Sequence, residues 1–300
     1  MSSYPPIVPQ NAADYTKTIW SDTYPYIDSA AKSNHSGRSV FITGGNRGIG
    51  LSIAKSFARA GASCIGLGAI DGFDNVKQVL EEAARQAGRQ TTPKILLMNL
   101  DVTSSDSVQQ AVDQTSRNFG GLDILVNNAG FMTPALPVIE SDEDLWWRTF
   151  EVNLKGIYLV SKSFLPLMMS TTGGLKTMVN INSVASHNLR INASAYGTSK
   201  WAVLKFTEFL LVEVAREGLL AYSVHPGGIM TQLAEAMPQE THAYLTDKAE
   251  LTGDTIAFLT QVRREWLAGR YISCTWDMQE LLQREGEISG TEKLKLRLVL

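Results

Sequence analysis

The segment Thr43-Gly44-Gly45-Asn46-Arg47-Gly48-Ile49-Gly50 constrains this chain more than any other stretch. A short apolar run over residues 39–42 precedes it, and a helical pattern over residues 51–60 follows. Strand, glycine-rich turn and helix in that order build a cradle for a pyrophosphate. Glycines let the backbone come close to the phosphates, and the helix N-terminus offers free N–H groups to negative charge.

The rest of the chain alternates in the same way. Apolar runs at residues 63–68, 94–99, 122–127, 178–181, 220–224 and 270–273 read as buried strands. Helical patterns cover residues 75–87, 105–119, 143–169, 196–217 and 255–266. Such alternation implies an α/β fold, a Rossmann-like, doubly wound parallel sheet with right-handed crossovers in a single domain. With 44% hydrophobic and 19% charged residues in 300, the composition suits a globular chain with a substantial core. Residues 38–275 are the expected domain, between an N-terminal extension at 1–37 and a C-terminal tail at 276–300. The extension holds Pro5, Pro6, Pro9 and Pro25, yet Tyr15, Ile19, Trp20 and Tyr24 are too apolar for a free linker. It is expected to pack as an irregular arm on the body or on a partner subunit. The amphipathic tail is expected to dock likewise, and residues 232–255 read as an irregular lobe covering a substrate.

Charge and cysteine usage exclude several classes. A net charge of −3, well dispersed, offers neither a nucleic-acid patch nor a polybasic membrane anchor. No apolar segment is long enough to span a bilayer, and the N-terminus lacks the pattern of a signal peptide. Cys64 and Cys274 lie far apart inside apolar stretches and read as reduced core residues, not as a disulfide or metal site. The cytosol is the expected location.

A second constellation carries chemistry. Tyr196 and Lys200 are four residues apart, so on a helix they share one face. An ammonium ~4 Å from a phenol would stabilise the phenolate by roughly 4 kcal/mol, about three pKa units at an effective dielectric near 20. That would bring Tyr196 near neutrality, where a general acid works best. Ser183 ends the strand at 178–181, where open α/β sheets bind ligands. Asn153, between Val152 and Leu154, suggests a polar task at a helix irregularity, with a satisfied core amide as the alternative. Asn127-Asn128-Ala129-Gly130 puts small and amide residues where a wall lies close to a ligand, or forms only a tight turn. His187 places an imidazole near the rim of the pocket, either turned to solvent or capping a loop, or else binding a polar group of the substrate.

In order and spacing these motifs resemble the short-chain dehydrogenase/reductase family, and the two tails look like those of its fungal NADP-dependent reductases. The resemblance implies a role for each matched residue. Tyr196 would exchange a proton with the substrate oxygen, and Lys200 would depress its pKa and bind the nicotinamide ribose. Ser183 would polarise the carbonyl, and Asn153 would anchor a water in the proton relay. Thr43, Gly44, Gly48, Ile49 and Gly50 would cradle the pyrophosphate, with Asn46 and Arg47 also binding the cofactor. Asp101 and Val102 would meet the adenine, and Asn128, Ala129 and Gly130 would wall the cofactor pocket. Pro226, Gly227, Ile229 and Thr231 would contact the carboxamide end. No metal is implied. Members of the family that prefer NAD end the second strand in an acid, where this chain has Gly68, then Ala69, with Asp71 further on. The basic candidate for a 2′-phosphate is Arg47, so NADP(H) is the expected cofactor. The helices at 143–169 and 196–217 commonly pair subunits in the family, which implies a homodimer or homotetramer. The expected activity is hydride transfer between NADP(H) and a carbonyl or alcohol. The alternatives are a non-redox cyclase or isomerase on the same scaffold, and a cofactor-binding protein without turnover.

Overall fold

Parallel strands covered on both faces read as near-continuous apolar runs, and the described residues form seven of them. They are β1 (Ser39–Thr43), β2 (Cys64–Ala69), β3 (Lys94–Asn99), β4 (Ile124–Asn127), β5 (Thr177–Ile181), β6 (Leu220–His225) and β7 (Tyr271–Ser273). The structure, a computed structural model, describes residues 12–298. All strands run parallel in the order β3-β2-β1-β4-β5-β6-β7, with Thr43 level with Gly68 and Ile42 level with Val126. The order reverses between β1 and β4, so a crevice opens there at the carboxyl ends of the strands.

The helices are α1 (Ser29–Lys32), α2 (Gly48–Arg59), α3 (Val76–Gln86), α4 (Ser105–Phe119), α5 (Glu143–Phe150), α6 (Ile157–Ser170), α7 (Ser194–Val214), α8 (Ala249–Thr260), α9 (Met278–Gln283) and α10 (Glu285–Ile288). They cover both faces of the sheet. Ile42, Ile53, Phe57 and Leu259 belong to the core on one side; Phe41, Val108, Phe164 and Met178 belong to that on the other. Among the described residues no helix is long and apolar enough to cross a membrane.

Two helices depart from the sequence expectation. The helix expected at residues 143–169 is two helices, α5 and α6, joined by a π-helical turn over Glu151–Gly156. Asn153 sits inside that turn, so the irregularity suggested by a polar residue among apolar ones is present. Helix α8 begins at Ala249, six residues before the expected start at 255, and stops at Thr260, not at 266. Every residue from Leu251 to Thr260 is buried, so no polar face marks where the helix begins. Its end is fixed from outside, because the Arg264 guanidinium donates to the carbonyls of Phe258 and Leu259. Cys274 is fully buried as expected, whereas Cys64 is only half-buried; both thiols are free.

The described parts of the N-terminal extension and the C-terminal tail pack on this body. His35 is buried, with Nε2 2.9 Å from the Ala257 carbonyl oxygen, and Thr23 Oγ1 donates to Asp254 at 2.5 Å. The tail sinks Trp276, Met278, Leu281 and Ile288 into the core. Pro5, Pro6 and Pro9 lie outside the described residues.

Candidate active site

The glycine turn after β1 is held from the neighbouring strand β4. Thr43 Oγ1 accepts the N–H groups of Asn128 and Ala129, each at 3.0 Å. Asn128 Nδ2 donates to the carbonyls of Thr43 (2.8 Å) and Gly44 (3.0 Å). Asn128 therefore braces the cradle, a task beyond the pocket wall expected for it. The approach is so close that a Cβ on Gly50 would lie 2.6 Å from Asn128 Nδ2 and would also collide with the Gly44 carbonyl oxygen. Gly44 and Gly48 adopt φ of +64° and +53°, the left-handed region that glycine occupies without a Cβ clash. Helix α2 starts at Gly48 with no side-chain cap, and its free N–H groups face the turn. These features fit a diphosphate.

The other residues expected at the cofactor lie in the turns that follow β1, β3, β4 and β6. Asn46 Nδ2 donates to the Gly72 carbonyl at 3.1 Å. Asp101 accepts from Thr103 N and Oγ1, bonds that hold its carboxyl below the usual range, while Val102 is buried against Gly156. Both residues thus build the turn after β3. Gly130 lies beside Asn153. Pro226 is buried, its carbonyl held by Thr252, and Gly227 turns with φ +108°. Ile229 pairs with Thr246 in an antiparallel bridge, and Thr231 lies across the N-terminus of α2, 3.7 Å from where a Gly48 Cβ would be.

Arg47 forms an exposed ion pair with Asp71 at 2.5 Å. The sequence puts Asp71 too far along the chain to matter, and the pair brings it back to the cradle. Gly68 is closed to an acid, since a Cβ there would sit 2.8 Å from Leu100 Cβ.

Beyond the cradle lies a cavity of about 910 Å³ whose wall includes Ser183, Tyr196, Ile49, Gly227 and Thr231. Ser183 Oγ accepts the Ala185 N–H at 3.1 Å, which opens a short turn and aims the hydroxyl off the end of β5. Lys200 Nζ lies 5.6 Å from the Tyr196 ring centre and donates to the Ile181 carbonyl at 2.9 Å. The expected drop of the phenol toward neutrality does not occur in the protein itself. Burial pushes Tyr196 up to about 12, and the Ser183 hydrogen bond offsets this only in part. The same burial lowers Lys200 to about 8. Desolvation is the larger cause at both groups.

Asn153 is fully buried and hydrogen-bonded through both amide atoms. Its Oδ1 accepts from Phe131 N at 2.8 Å, and Nδ2 donates to Phe131 O at 2.9 Å and Ser199 Oγ at 3.1 Å. The amide pins the loop after β4 to α7.

His187 is not part of the cavity wall. Its ring meets Tyr271 edge-on at 4.7 Å, and its backbone N–H caps the short turn at Val184–Ser186 by donating to the Val184 carbonyl. The histidine at the cavity is His225. Its Nδ1 accepts the Val184 N–H at 3.3 Å, which assigns the proton of the neutral ring to Nε2. Burial, reinforced by His187 and Arg190, holds its pKa at about 3. Its place directly before Pro226-Gly227, at the carboxyl end of β6, was the available signal in the sequence.

Residues 38–242 match the family profile described as short chain dehydrogenase. The Monascus purpureus protein "Short chain dehydrogenase mpl6" is 48% identical over 279 residues, covering 93% of this chain and 94% of its own. "Short chain dehydrogenase pigC" of Monascus ruber is 41% identical, covering 95% and 94%. Among solved structures, a short-chain dehydrogenase/reductase from Serratia marcescens superposes with a TM-score of 0.68 at 26% identity, covering 80% of this chain and 96% of that one. A blue fluorescent protein from a metagenomic library, solved in complex with NADPH, superposes with a TM-score of 0.68 at 28% identity, covering 80% and 97%. With its sheet order, glycine cradle and Ser183, Tyr196 and Lys200 together at the carboxyl ends of the strands, the chain belongs to the short-chain dehydrogenase/reductase family of oxidoreductases.

Proposed function

We propose that this protein transfers hydride between NADP(H) and the carbonyl or alcohol of a small-molecule substrate, with Tyr196 as general acid in reduction and general base in oxidation. The observation that carries this reading is that Ser183 and Tyr196 share one cavity wall with Ile49 and Thr231 at the cradle. The cofactor, when bound, supplies or accepts the hydride. Ser183 holds the substrate oxygen, and a neutral Tyr196 phenol donates its proton to that oxygen as negative charge develops. Lys200 supports both by its charge, and Asn153 shapes the loop that encloses them. Absorbance of the reduced cofactor during incubation with a panel of ketones and alcohols tests the reading. Product formed with no loss of that absorbance would instead favour the cyclase or isomerase reading.

NADP(H) is favoured over NAD(H) because Gly68 excludes the ribose-binding acid and Arg47 is the cation beside the turn. An NADPH complex is known for the metagenomic neighbour. An exposed ion pair is worth only about 0–1 kcal/mol, so Arg47 can exchange Asp71 for a 2′-phosphate at little cost. We expect Arg47→Ala to weaken NADPH about tenfold and NADH little, and Asp71→Asn to tighten NADPH by freeing the guanidinium. If Asp71→Asn instead weakens NADH while NADPH is unmoved, Asp71 is the ribose ligand and the preference is reversed.

The outer surfaces of α5, α6 and α7 expose Trp147, Tyr158, Trp201, Phe209 and Val212, the last at 82%. So much uncovered apolar surface on adjoining helices supports a homodimer or homotetramer. Light scattering at micromolar concentration should give a dimer or tetramer, and Phe209→Glu should shift it toward monomer. A monomeric wild-type protein would remove this part of the reading. Two free thiols suit a reducing compartment, consistent with the cytosol.

A further inference from the structure

The cavity does not end at the reacting groups. Past Ser183 and Tyr196 it opens into a chamber walled by Leu136, Leu233 and Met237, and by Ala13 and Ile19 of the N-terminal arm. Neither arm residue falls within the segment that matches the family profile, which begins at residue 38. This wall is therefore an addition outside the shared segment.

The arm is tied down on both sides of Ile19. Ile19 bridges Trp276 in antiparallel fashion, and Trp20 N donates to the Thr275 carbonyl at 2.8 Å. Trp20 Nε1 donates to Asp277 at 2.8 Å, and the Ser21 carbonyl accepts the Lys248 N–H at 2.7 Å. Asp247, next to Lys248, in turn accepts the Gly228 N–H at 2.6 Å, so the arm is braced through two peptides onto the segment that leads to Ile229 and Thr231. Bonds of this kind fix the position of Ile19 relative to the reacting groups. Yet its side chain is 46% uncovered, and Leu136, Ile191 and Tyr244 around the same cavity are uncovered by 40%, 91% and 80%. A fixed, uncovered apolar wall is what a bound apolar body would bury.

Volume points the same way. The cofactor's nicotinamide end takes the part near Ile49 and Thr231, but a cavity of about 910 Å³ still leaves room for far more than a three-carbon ketone. Resting on the hydride-transfer reading above, we propose that the N-terminal arm is a specificity wall. The substrate it selects is a multi-ring-sized apolar carbonyl compound whose far end lies against Ile19.

The test compares acetophenone with 2-acetylfluorene. Binding is measured by calorimetry on the NADP⁺-loaded protein, and turnover by absorbance of the reduced cofactor. In the wild type the three-ring ketone is expected to bind at least about tenfold tighter, from the added apolar contact. Ile19→Asp should cut that ratio about tenfold, while Ile19→Leu should preserve it. Ala13→Asp, from the other arm contact, should also lower the ratio, and circular dichroism confirms that each variant is folded. A ratio near one in the wild type, a wild-type ratio in folded Ile19→Asp, or no binding of either ketone would overturn the assignment. The two readings fail separately. Size-selective binding that depends on Ile19, without cofactor oxidation, would sink hydride transfer and leave the arm's role standing. Turnover with a ratio indifferent to Ile19 would do the reverse.

Discussion

Tyr196→Phe is expected to lower kcat for ketone reduction about a thousandfold, within the range for losing a positioned general acid. Cofactor affinity, read by quenching of tryptophan fluorescence, should stay within about threefold, because the ring remains and only the hydroxyl is lost. The structure adds a direction to this result. With its pKa pushed up to about 12 by burial, the phenol is protonated throughout the neutral range and ready to donate. Reduction should therefore be nearly flat with pH around neutrality. Oxidation needs the phenolate and should speed up as pH rises. A Tyr196→Phe variant that retains wild-type turnover would remove the acid from the mechanism.

Lys200→Met should separate function from stability. Activity is expected to fall by a factor on the order of a hundred or more, and cofactor affinity about tenfold, since one ammonium is proposed to serve both. Stability should move the other way. Lys200 is 3% exposed, and burial lowers its pKa from 10.5 to about 8. Between those values the unfolded chain binds the proton and the folded chain does not, so stability rises with pH across that window. Below about pH 8 the penalty is complete, roughly 3 kcal/mol by linkage. Losing the bond to the Ile181 carbonyl returns about 1 kcal/mol of that. The methionine variant should thus be more stable than wild type by about 2 kcal/mol at pH 7, with the gain gone near pH 10. Urea unfolding at the two pH values checks it. A variant less stable at pH 7 would show that the ammonium is better accommodated than its burial implies.

How much of this was legible in the sequence follows from which contacts are local. The strands were readable because residues such as Val40, Phe41 and Ile42 are buried on both faces, which produces unbroken apolar runs. The cradle and the Tyr196–Lys200 pair were readable because each lies within one turn or helix. Helix α8 was misplaced for the opposite reason: ten successive buried residues carry no period. The pairing of Arg47 with Asp71, the bracing of Gly44 by Asn128 and the bond from Lys200 to Ile181 all join distant segments. None of them leaves a mark in the local pattern. The upward shift of Tyr196 comes from burial, which the local spacing does not show. A four-residue spacing gives a shared helix face, but it does not say where the ammonium points. Ile19 was likewise seen as a reason for the arm to pack, and not as a wall of the site.

The account rests most heavily on hydride moving to carbon while Tyr196 supplies the proton. Reduced NADP carrying deuterium at the transferable position of nicotinamide C4 tests this when incubated with a ketone the protein accepts. The alcohol, examined by mass spectrometry, should carry one deuterium on the former carbonyl carbon, and the Tyr196→Phe variant should form almost none of it. Product that accumulates unlabelled while the reduced cofactor persists would contradict the account.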